Sequence, residues 1–219
     1  LVRFCEKEKV RMLLLPSLDE LKGGKLKMRA LPEVRIEDLL GREEIRINME
    51  EIAGSLKGKV VLVTGAAGSI GSELCRQLCH FGLKQLVLFD SAETPMHNIR
   101  LELEEKFPDV EFTPVMGDIR MIHRVESIYQ RFRPHIVFHA AAYKHVPLME
   151  ENPCEAVHTN VYGTRNVADM AVKYDVDKFI MVSTDKAVNP TNVMGASKRL
   201  AEMYVQLSLI HISEPTRPI

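Results

Sequence analysis

The fold is decided by the stretch Val60-Val61-Leu62-Val63-Thr64-Gly65-Ala66-Ala67-Gly68-Ser69-Ile70-Gly71. Residues 60–63 form a short, continuously apolar run rich in β-branched side chains, which is typical of a strand buried on both faces of a parallel sheet. Residues 65–71 form a glycine-rich turn, and residues 72–81 have the pattern of a helix. The stretch therefore predicts the first strand, turn and helix of a strand–helix–strand unit.

The same alternation of strand and helix continues along the chain. Four further strands are predicted at residues 85–89, 111–115, 136–138 and 178–182. Helices are predicted between and after them, at residues 93–106, 121–132, 153–174 and 193–207. Five alternations predict an α/β fold with a Rossmann-like parallel sheet and helices on both faces.

The composition is that of a globular chain. Hydrophobic residues make up 46% and charged residues 27% of the 219 residues, a balance that excludes disorder throughout. The 29 lysines and arginines are offset by 30 aspartates and glutamates, which argues against a nucleic-acid partner bound by phosphate neutralisation. No apolar run approaches the ~18 residues that a membrane-spanning helix needs, so we expect no membrane contact by this chain.

Three segments are distinguished along the chain. Residues 1–57 contain only short amphipathic pieces, near residues 16–21 and 36–40, and are interpreted as an N-terminal linker that packs against the adjoining domain. That domain, residues 58–207, is the predicted dinucleotide-binding domain. Residues 208–219 hold two prolines and no partner strand, so we expect a non-native or disordered tail there.

The glycine-rich turn is suited to binding the phosphates of a dinucleotide. Gly65 permits a tight turn, Gly68 lets the backbone approach a pyrophosphate, and Gly71 lets the helix pack close to the strand. Backbone N–H groups at the helix start, including those of Ser69 and Ile70, would then face the phosphates. An ordinary glycine-rich turn is the alternative interpretation.

The ends of the following strands are expected to complete the cofactor site. Asp90 lies 19 residues after Gly71, where a carboxylate accepts hydrogen bonds from ribose hydroxyls and repels a 2′-phosphate, which favours NAD over NADP. A solvated turn aspartate is the alternative. Further cofactor contacts are expected from residues that end the third and fourth strands: Asp118, Ile119, Ala140, Ala141 and Ala142.

Two long segments narrow the interpretation to a family. Residues 143–150 (YKHVPLME) and 183–198 (STDKAVNPTNVMGASK), together with the glycine motif and the His139-Ala-Ala-Ala segment, resemble the extended short-chain dehydrogenase/reductase superfamily. Within it, the chain resembles the polysaccharide-biosynthesis nucleotide-sugar 4,6-dehydratases, which act on UDP-N-acetylglucosamine. The resemblance covers about residues 10–207.

The resemblance implies an NAD-dependent dehydration of a UDP-sugar. Hydride leaves C4 of the sugar, a base removes the C5 proton, and an acid protonates the departing 6-hydroxyl. Water is lost, and hydride returns to C6 to give a 4-keto-6-deoxy sugar. The cofactor ends in the state in which it began.

The catalytic residues depart from the superfamily's Tyr-x-x-x-Lys pair. Met194 occupies the tyrosine position, as in the larger, membrane-linked members, and its thioether cannot transfer a proton, whereas Lys198 would hold the nicotinamide ribose. Thr184, Asp185 and Lys186 lie just beyond the fifth strand, at the edge of the sheet where ligands bind. Asp185 and Lys186 are therefore the candidate acid–base pair and Thr184 would bond the sugar 4-oxygen, with a surface salt-bridged turn as the alternative. A protonated Asp185 and a desolvated Lys186 would suit these roles, but either order is open.

Other chemistry-bearing residues have two interpretations each. Lys144 and His145 follow the fourth strand and are expected to contact the substrate, with a solvated loop as the alternative. Asn160 would lie beneath the cofactor and support Lys198 through water, or act as a buried structural amide. Cys75 and Cys79 share a helix face and are interpreted as packing thiols rather than half of a metal site, and no metal is expected.

Two other functions are compatible with the sequence. One is a nucleotide-sugar 4-epimerase, which would ordinarily need the absent tyrosine; the other is a catalytically silent NAD-binding module. The chain begins without methionine, as a fragment would. The resemblance implies a nucleotide-sugar pocket built largely from chain beyond the last helix, so we expect the fragment to be truncated before the substrate-binding region and poorly active by itself. The resemblance implies a cytoplasmic catalytic domain in a parent anchored in the bacterial inner membrane, and it allows a homo-oligomer.

Overall fold

The computed structural model describes residues 49–208. Expectations for residues 1–48 and for residues 209–219 lie outside the described residues. In the described part, five parallel strands form one sheet in the order β3-β2-β1-β4-β5. The strands are β1 Val60–Thr64, β2 Gln85–Asp90, β3 Phe112–Met116, β4 Ile136–His139 and β5 Lys178–Met181. The predicted Rossmann-like sheet is thereby confirmed.

The helices follow the predicted alternation, with local differences. They are α1 Met49–Leu56, α2 Ser69–Leu78, α3 Glu93–Lys106, α4 Ile122–Phe132, α5 Val146–Glu151, α6 Pro153–Ala156, α7 Thr164–Lys173 and α8 Val193–Ser208. Short 3₁₀ helices span Cys79–Phe81 and Asp185–Ala187. The helix predicted over residues 153–174 is divided by a π-helical segment, Val157–Gly163, between α6 and α7.

Two other helices differ from the sequence expectation for identifiable reasons. Helix α2 begins three residues earlier than predicted, because Gly71 lies inside it rather than in the turn. Helix α5 was not predicted; Pro147 lies in its first turn, where the missing N–H costs no hydrogen bond. Helix α1 lies within the predicted linker, and its Leu56 is buried in the core, so this helix packs against the sheet.

The core lies on both faces of the sheet, as the apolar run of β1 predicts. Val60 and Leu62 pack on the side of α4 and α7, whereas Val61 and Val63 pack on the side of α1, α2 and α3. This division arises because successive side chains of a strand point to opposite faces. Cys75 and Cys79 belong to the second cluster, and burial raises the pKa of the Cys79 thiol to about 11, so both cysteines are packing thiols.

The topology brings the loops that follow the strands to one edge of the sheet. Strand β1 pairs with β2 on one side and with β4 on the other, so the loops after β1 and β4 leave in opposite directions. A crevice opens between such loops, and it is the usual ligand position in this class of fold. No helix within residues 49–208 is both long and apolar enough to cross a membrane.

Candidate cofactor site

The glycine-rich turn brings two backbone segments into direct contact. Gly65 has a φ of +68°, and a Cβ built on it would lie 2.6 Å from the backbone nitrogen of Ala141. A Cβ on Gly71 would lie only 1.9 Å from the carbonyl oxygen of Gly65. The protein itself therefore requires both glycines, the first for the loop after β4 and the second for the packing of α2.

Gly68 is different, because the surrounding protein does not require it. A Cβ there would meet only the Gly65 carbonyl oxygen, at 3.3 Å, which is a tight contact but far less severe than those at Gly65 and Gly71. Gly68 is also the N-cap of α2, and within residues 49–208 no side chain caps this helix. The first N–H groups of α2, those of the exposed Ser69 and Ile70 among them, keep their hydrogen-bonding capacity. This arrangement suits a phosphate that approaches Gly68.

Asp90 is fixed by the backbone of two neighbouring loops. One carboxylate oxygen accepts from the Ala67 N–H at 3.0 Å, and the other accepts from the Ala92 N–H at 2.9 Å. Each carboxylate oxygen has further acceptor capacity. Asp90 is therefore oriented and is still able to accept hydrogen bonds from ribose hydroxyls.

A cleft runs along this edge of the sheet and contains most of the predicted cofactor residues. The predicted residues that line it are Gly65, Gly68, Asp90, Asp118, Ile119, Ala140, Ala141 and Ala142. The sequence did not single out the other lining residues: Ala67, Phe89, Ser91, Ala92, Pro95, Gly117, Arg120, Tyr143 and Thr159. The cleft lining does not include Ser69, Ile70, Gly71, Asn160 or Lys198.

Arg120 organises the end of the cleft beyond β3. Its guanidinium donates to Asp118 at 2.6 and 2.8 Å and to Glu155 at 2.9 Å. The hydrogen bond from Arg120 lowers the pKa of the Asp118 carboxyl below its usual range. Asp118 is therefore an ionised acceptor at this end of the cleft. In the sequence, the only sign of this ion pair was that Asp118 lies two residues before an arginine.

His139 links the strands that flank the crevice. Its Nδ1 lies 2.6 Å from the Thr64 hydroxyl and its Nε2 lies 2.9 Å from the Thr164 hydroxyl. The imidazole is fully buried, and burial, assisted by the Lys198 charge, lowers its pKa to about 3. The ring is therefore neutral, and it ties β1, β4 and α7 together.

The side-chain amide of Asn160 forms its hydrogen bonds within the protein. Its Oδ1 accepts from the Tyr143 N–H at 2.8 Å, and its Nδ2 donates to the Tyr143 carbonyl and the Ser197 hydroxyl, both at 3.0 Å. Asn160 is fully buried. These contacts favour the interpretation as a structural amide: Asn160 fixes the loop after β4 and holds the residue next to Lys198.

Lys198 is buried beside the end of β5. Its ammonium donates to the Val182 carbonyl at 2.8 Å, and only 5% of the residue is exposed. Burial lowers the pKa of Lys198 to about 8, because the charged form loses hydration. The amine therefore titrates much closer to neutrality than an exposed lysine.

This burial predicts a pH-dependent stability. The folded pKa of about 8 lies below the unfolded value of about 10.4, so Lys198 destabilises the fold fully below pH 8. Its cost falls as the pH rises towards about 10.4, because only the unfolded state then binds the proton. Lys198→Met is expected to gain melting temperature relative to the parent at pH 7 and to lose that advantage towards pH 10.5.

Thermal melts of both proteins across this pH range measure the difference. Lys178→Met, at the exposed start of β5, is the control and should give a difference that does not vary with pH. The Lys198→Met variant also loses the bond to Val182, which adds a constant offset to the difference in melting temperature. The test is therefore how this difference changes with pH. A Lys198→Met difference that is flat from pH 7 to pH 10.5 would contradict the prediction.

The Thr184–Lys186 segment follows β5 and is held against α8. A Cβ on Gly195 would lie 2.4 Å from the Lys186 carbonyl oxygen, so the absence of a side chain there lets the two segments touch. The Thr184 hydroxyl donates to Asp185 at 2.9 Å, and the Lys186 ammonium lies 3.4 Å from the same carboxylate oxygen. Thr184, Asp185 and Lys186 thus form one local cluster near the start of the Lys198 helix.

The protonation state expected for Asp185 is wrong for the described chain. The hydrogen bond from Thr184, with Lys186 beside it, lowers the pKa of Asp185, so the carboxyl is ionised rather than a ready acid. Lys186 is also not desolvated, since its side chain is 50% exposed and that of Asp185 is 87% exposed. Both side chains are open to solvent.

The remaining predicted residues lie outside the cleft. Met194 is buried in an apolar cluster with Met149 and Ala156, which favours a packing role over the catalytic one. Lys144 and His145 are exposed in the loop between β4 and α5. Within residues 49–208, no group of three His, Cys, Asp or Glu side chains is arranged to hold a metal ion.

Comparison with known proteins identifies relatives of the chain. The family described as "Polysaccharide biosynthesis protein" matches residues 61–215. The capsular polysaccharide biosynthesis protein CapD of Staphylococcus aureus is 45% identical over 205 residues, which are 93% of this chain and 34% of CapD. The chain thus spans about a third of the length of the curated relatives it matches first.

Solved structures share the Rossmann-like fold. The UDP-glucose 4-epimerase of Thermotoga maritima, solved with UDP-glucose, is 26% identical with a TM-score of 0.59, over 70% of this chain and 52% of the epimerase. WbmG of Bordetella bronchiseptica, solved in complex with NAD and UDP, is 25% identical with a TM-score of 0.57, over 67% of this chain and 49% of WbmG.

Proposed function

The chain belongs to the polysaccharide biosynthesis protein family, and from this premise we propose that the whole protein is an NAD-dependent nucleotide-sugar 4,6-dehydratase. Its substrate is UDP-N-acetylglucosamine and its product is the 4-keto-6-deoxy sugar. The observation that carries the proposal is the Asp185–Lys186 pair at the carboxyl edge of the sheet, beside a helix with Met194 in place of a proton-transferring tyrosine.

The residues of the cleft fit NAD. The contact between Gly65 and Ala141 and the open side of Gly68 leave room for a pyrophosphate at the uncapped start of α2. Asp90 is oriented to accept from the adenosine ribose hydroxyls, and its charge disfavours a 2′-phosphate. WbmG, which has the same fold, was solved with NAD. We propose that the nicotinamide end extends past Ala142 towards Lys198, whose remaining N–H groups hold the second ribose.

The chain's own residues then have distinct tasks. Bound NAD⁺ supplies a hydride acceptor at the start of the reaction and a hydride donor at its end. Thr184 hydrogen-bonds the sugar 4-oxygen and keeps C4 at the correct distance. The 4-hydroxyl proton passes to solvent as C4 loses its hydride. Of Asp185 and Lys186, one takes the C5 proton, and the other gives a proton to the 6-hydroxyl as water leaves. The group that took the C5 proton returns a proton to C5 when hydride adds to C6.

A 4-epimerase is the second candidate, because a UDP-glucose 4-epimerase shares the fold. It needs the same cofactor and the same oxidation at C4, but no acid–base pair at C5 and C6. The exposed Asp185 and Lys186 side chains have no task in that reaction. A silent NAD-binding module would likewise leave them without a role, so the dehydratase accounts for more of the site.

Product analysis tests the proposal. The whole protein that contains this chain, incubated with UDP-N-acetylglucosamine and NAD⁺, is expected to form a sugar with a new C6 methyl group and a C4 ketone. Proton NMR detects the methyl signal, and absorbance at 340 nm should show no net accumulation of NADH. Formation of the C4 epimer alone would identify an epimerase, and cofactor binding without turnover of the sugar would identify a silent module.

We also propose a cellular setting for this activity. Residues 1–57 resemble the segment that joins membrane helices to the catalytic domain in the larger members of the subfamily. The parent would then carry a cytoplasmic catalytic domain on the bacterial inner membrane.

We also propose that the whole protein assembles into a homo-oligomer, and light scattering measures its mass in solution.

A further inference from the structure

The carboxylate of Glu150 joins two helices that are distant in the chain. Its Oε1 accepts from the Val193 N–H at 2.6 Å, across 43 residues of sequence. Glu150 lies in the last turn of α5, and Val193 is the first residue of α8. The first N–H groups of a helix have no partner within the helix, and the helix dipole favours a carboxylate at this end. Glu150 therefore anchors the start of α8 to α5.

An apolar contact beside this hydrogen bond holds the same two helices. Met149 of α5 and Met194 of α8 are buried in one cluster. Met149 precedes Glu150 in the chain, and Met194 follows Val193. The polar and the apolar contact therefore join the same pair of turns, one at the surface and one in the interior.

Helix α8 also has a local cap, so it does not need Glu150 in order to form. The Asn192 Oδ1 accepts from the Gly195 N–H at 2.7 Å, which is the usual way in which an asparagine caps a helix. The hydrogen bond from Val193 to Glu150 is additional to this cap. Its effect is to fix where α8 begins relative to α5.

The first turn of α8 is in direct contact with the segment that carries the proposed acid–base pair. A Cβ on Gly195 would lie 2.4 Å from the Lys186 carbonyl oxygen, so two backbone segments touch at this point. The Asp185 and Lys186 side chains are themselves exposed and are placed by their backbone. Because closely packed backbone segments transmit displacements, a shift of the first turn of α8 would move the pair.

Lys198 lies further along α8 and has anchors of its own. Its ammonium donates to the Val182 carbonyl at 2.8 Å. The preceding residue, Ser197, accepts from the buried Asn160 amide at 3.0 Å. A change at Glu150 should therefore displace the first turn of α8 more than it displaces Lys198, and the acid–base pair can be perturbed separately from the proposed cofactor site.

We propose that Glu150 is a positioning residue for the Asp185–Lys186 pair and acts through Val193 and the first turn of α8. The inference rests on the proposed dehydratase function. It adds a residue that does not line the cofactor cleft and that the sequence did not single out. The loop after β4, which leads into α5, and the acid–base pair are then held in register by one turn of helix.

Glu150→Ala in the whole protein tests this role. We expect kcat for the dehydration of UDP-N-acetylglucosamine to fall about tenfold, less than the roughly 10²-fold cost of a 1 Å misplacement, because the apolar contact limits the shift. KM for the sugar and the dissociation constant for NAD⁺ should stay within about twofold of the parent values. The melting temperature should fall by no more than about 4 °C, because the Asn192 cap remains.

Two matched variants separate the hydrogen bond from other effects of the substitution. Glu150→Gln keeps an oxygen that can accept from the Val193 N–H, and it should restore kcat to within about threefold of the parent, the uncharged bond being weaker. Glu151→Ala removes the adjacent exposed carboxylate of the same helix and should retain the parental kcat and KM.

The contrary outcomes have distinct meanings. A parental kcat in Glu150→Ala would overturn the positioning role and leave the proposed function intact. The same holds if Glu150→Gln is as slow as Glu150→Ala, if Glu151→Ala is equally slow, or if NAD⁺ affinity falls in parallel with kcat. A parent protein that forms no 4-keto-6-deoxy sugar would overturn the proposed function and this inference together.

Discussion

The Gly71→Ala variant is expected to bind NAD⁺ about a hundredfold more weakly or worse and to lose stability, although alanine is the better helix former. Its Cβ would lie 1.9 Å from the Gly65 carbonyl oxygen and 2.9 Å from the Ala66 Cα. Both obstacles are backbone atoms, so no side chain can move aside. Either α2 or the turn must shift by an ångström or more, and displacements of that size cost about 10²-fold in function.

The loss of stability has the same cause. Overpacking a well-packed site costs about 1–3 kcal/mol, and we expect the upper part of that range because the contact is between backbone segments. For a chain of this size each kcal/mol lowers the melting temperature by about 2–4 °C. Thermal melts and titration with NAD⁺ on the same samples measure the two effects.

Gly54→Ala is the matched control, because Gly54 is also a helical glycine. A Cβ at Gly54 in α1 meets nothing within 4 Å, so alanine there should be neutral or stabilising by about 0.5–1 kcal/mol. If Gly71→Ala behaved like Gly54→Ala in both melting temperature and NAD⁺ affinity, the close approach of α2 to the glycine turn would not be the basis of the site.

The features that the sequence predicted are those set by local pattern. The buried strand β1, the glycine turn and Asp90 are determined by residue type and spacing within about thirty residues, because a doubly covered strand must be apolar. The same pattern led to the error at α2, since glycine is a poor helix former and Gly71 was placed in the turn. Its presence in the helix depends on a tertiary contact with Gly65.

The features that the sequence did not predict depend on long-range contacts. The π-helical segment contains Asn160, which bonds Tyr143 and Ser197, 17 and 37 residues away in the chain, and no local pattern encodes that geometry. The ionised state of Asp185 likewise depends on the rotamer of Thr184 and on exposure. A residue's identity can be read from the sequence, but its solvation cannot.

Asp185→Asn and Lys186→Met are each expected to lower kcat for the dehydration by about 10²–10⁴-fold, the usual contribution of one acid or base. Neither change should alter the melting temperature much, since the Asp185 and Lys186 side chains are exposed and their ion pair is a surface one. NAD⁺ affinity should be retained, because neither residue lines the cofactor cleft.

Strand β5, which precedes Asp185 and Lys186, supplies the control pair at its other end. Asp177 and Lys178 lie at the amino end of β5, and Asp177 forms an exposed ion pair with Lys59 at 2.9 Å. Asp177→Asn and Lys178→Met make the same chemical changes at the opposite edge of the sheet, where no ligand is proposed. Both control variants should retain kcat, so a loss confined to residues 185 and 186 would reflect their position rather than their charge.

Deuterium exchange then identifies which of Asp185 and Lys186 is the base. In D₂O, a variant that keeps the base but lacks the acid can still form the 4-ketone and exchange the C5 proton without losing water. A variant that lacks the base cannot exchange it. One of the two variants should therefore return UDP-N-acetylglucosamine labelled at C5, and the other should return it unlabelled. If both variants dehydrate the sugar at the parental rate, the acid and base lie elsewhere, and the Asp185–Lys186 pair no longer distinguishes a dehydratase from an epimerase.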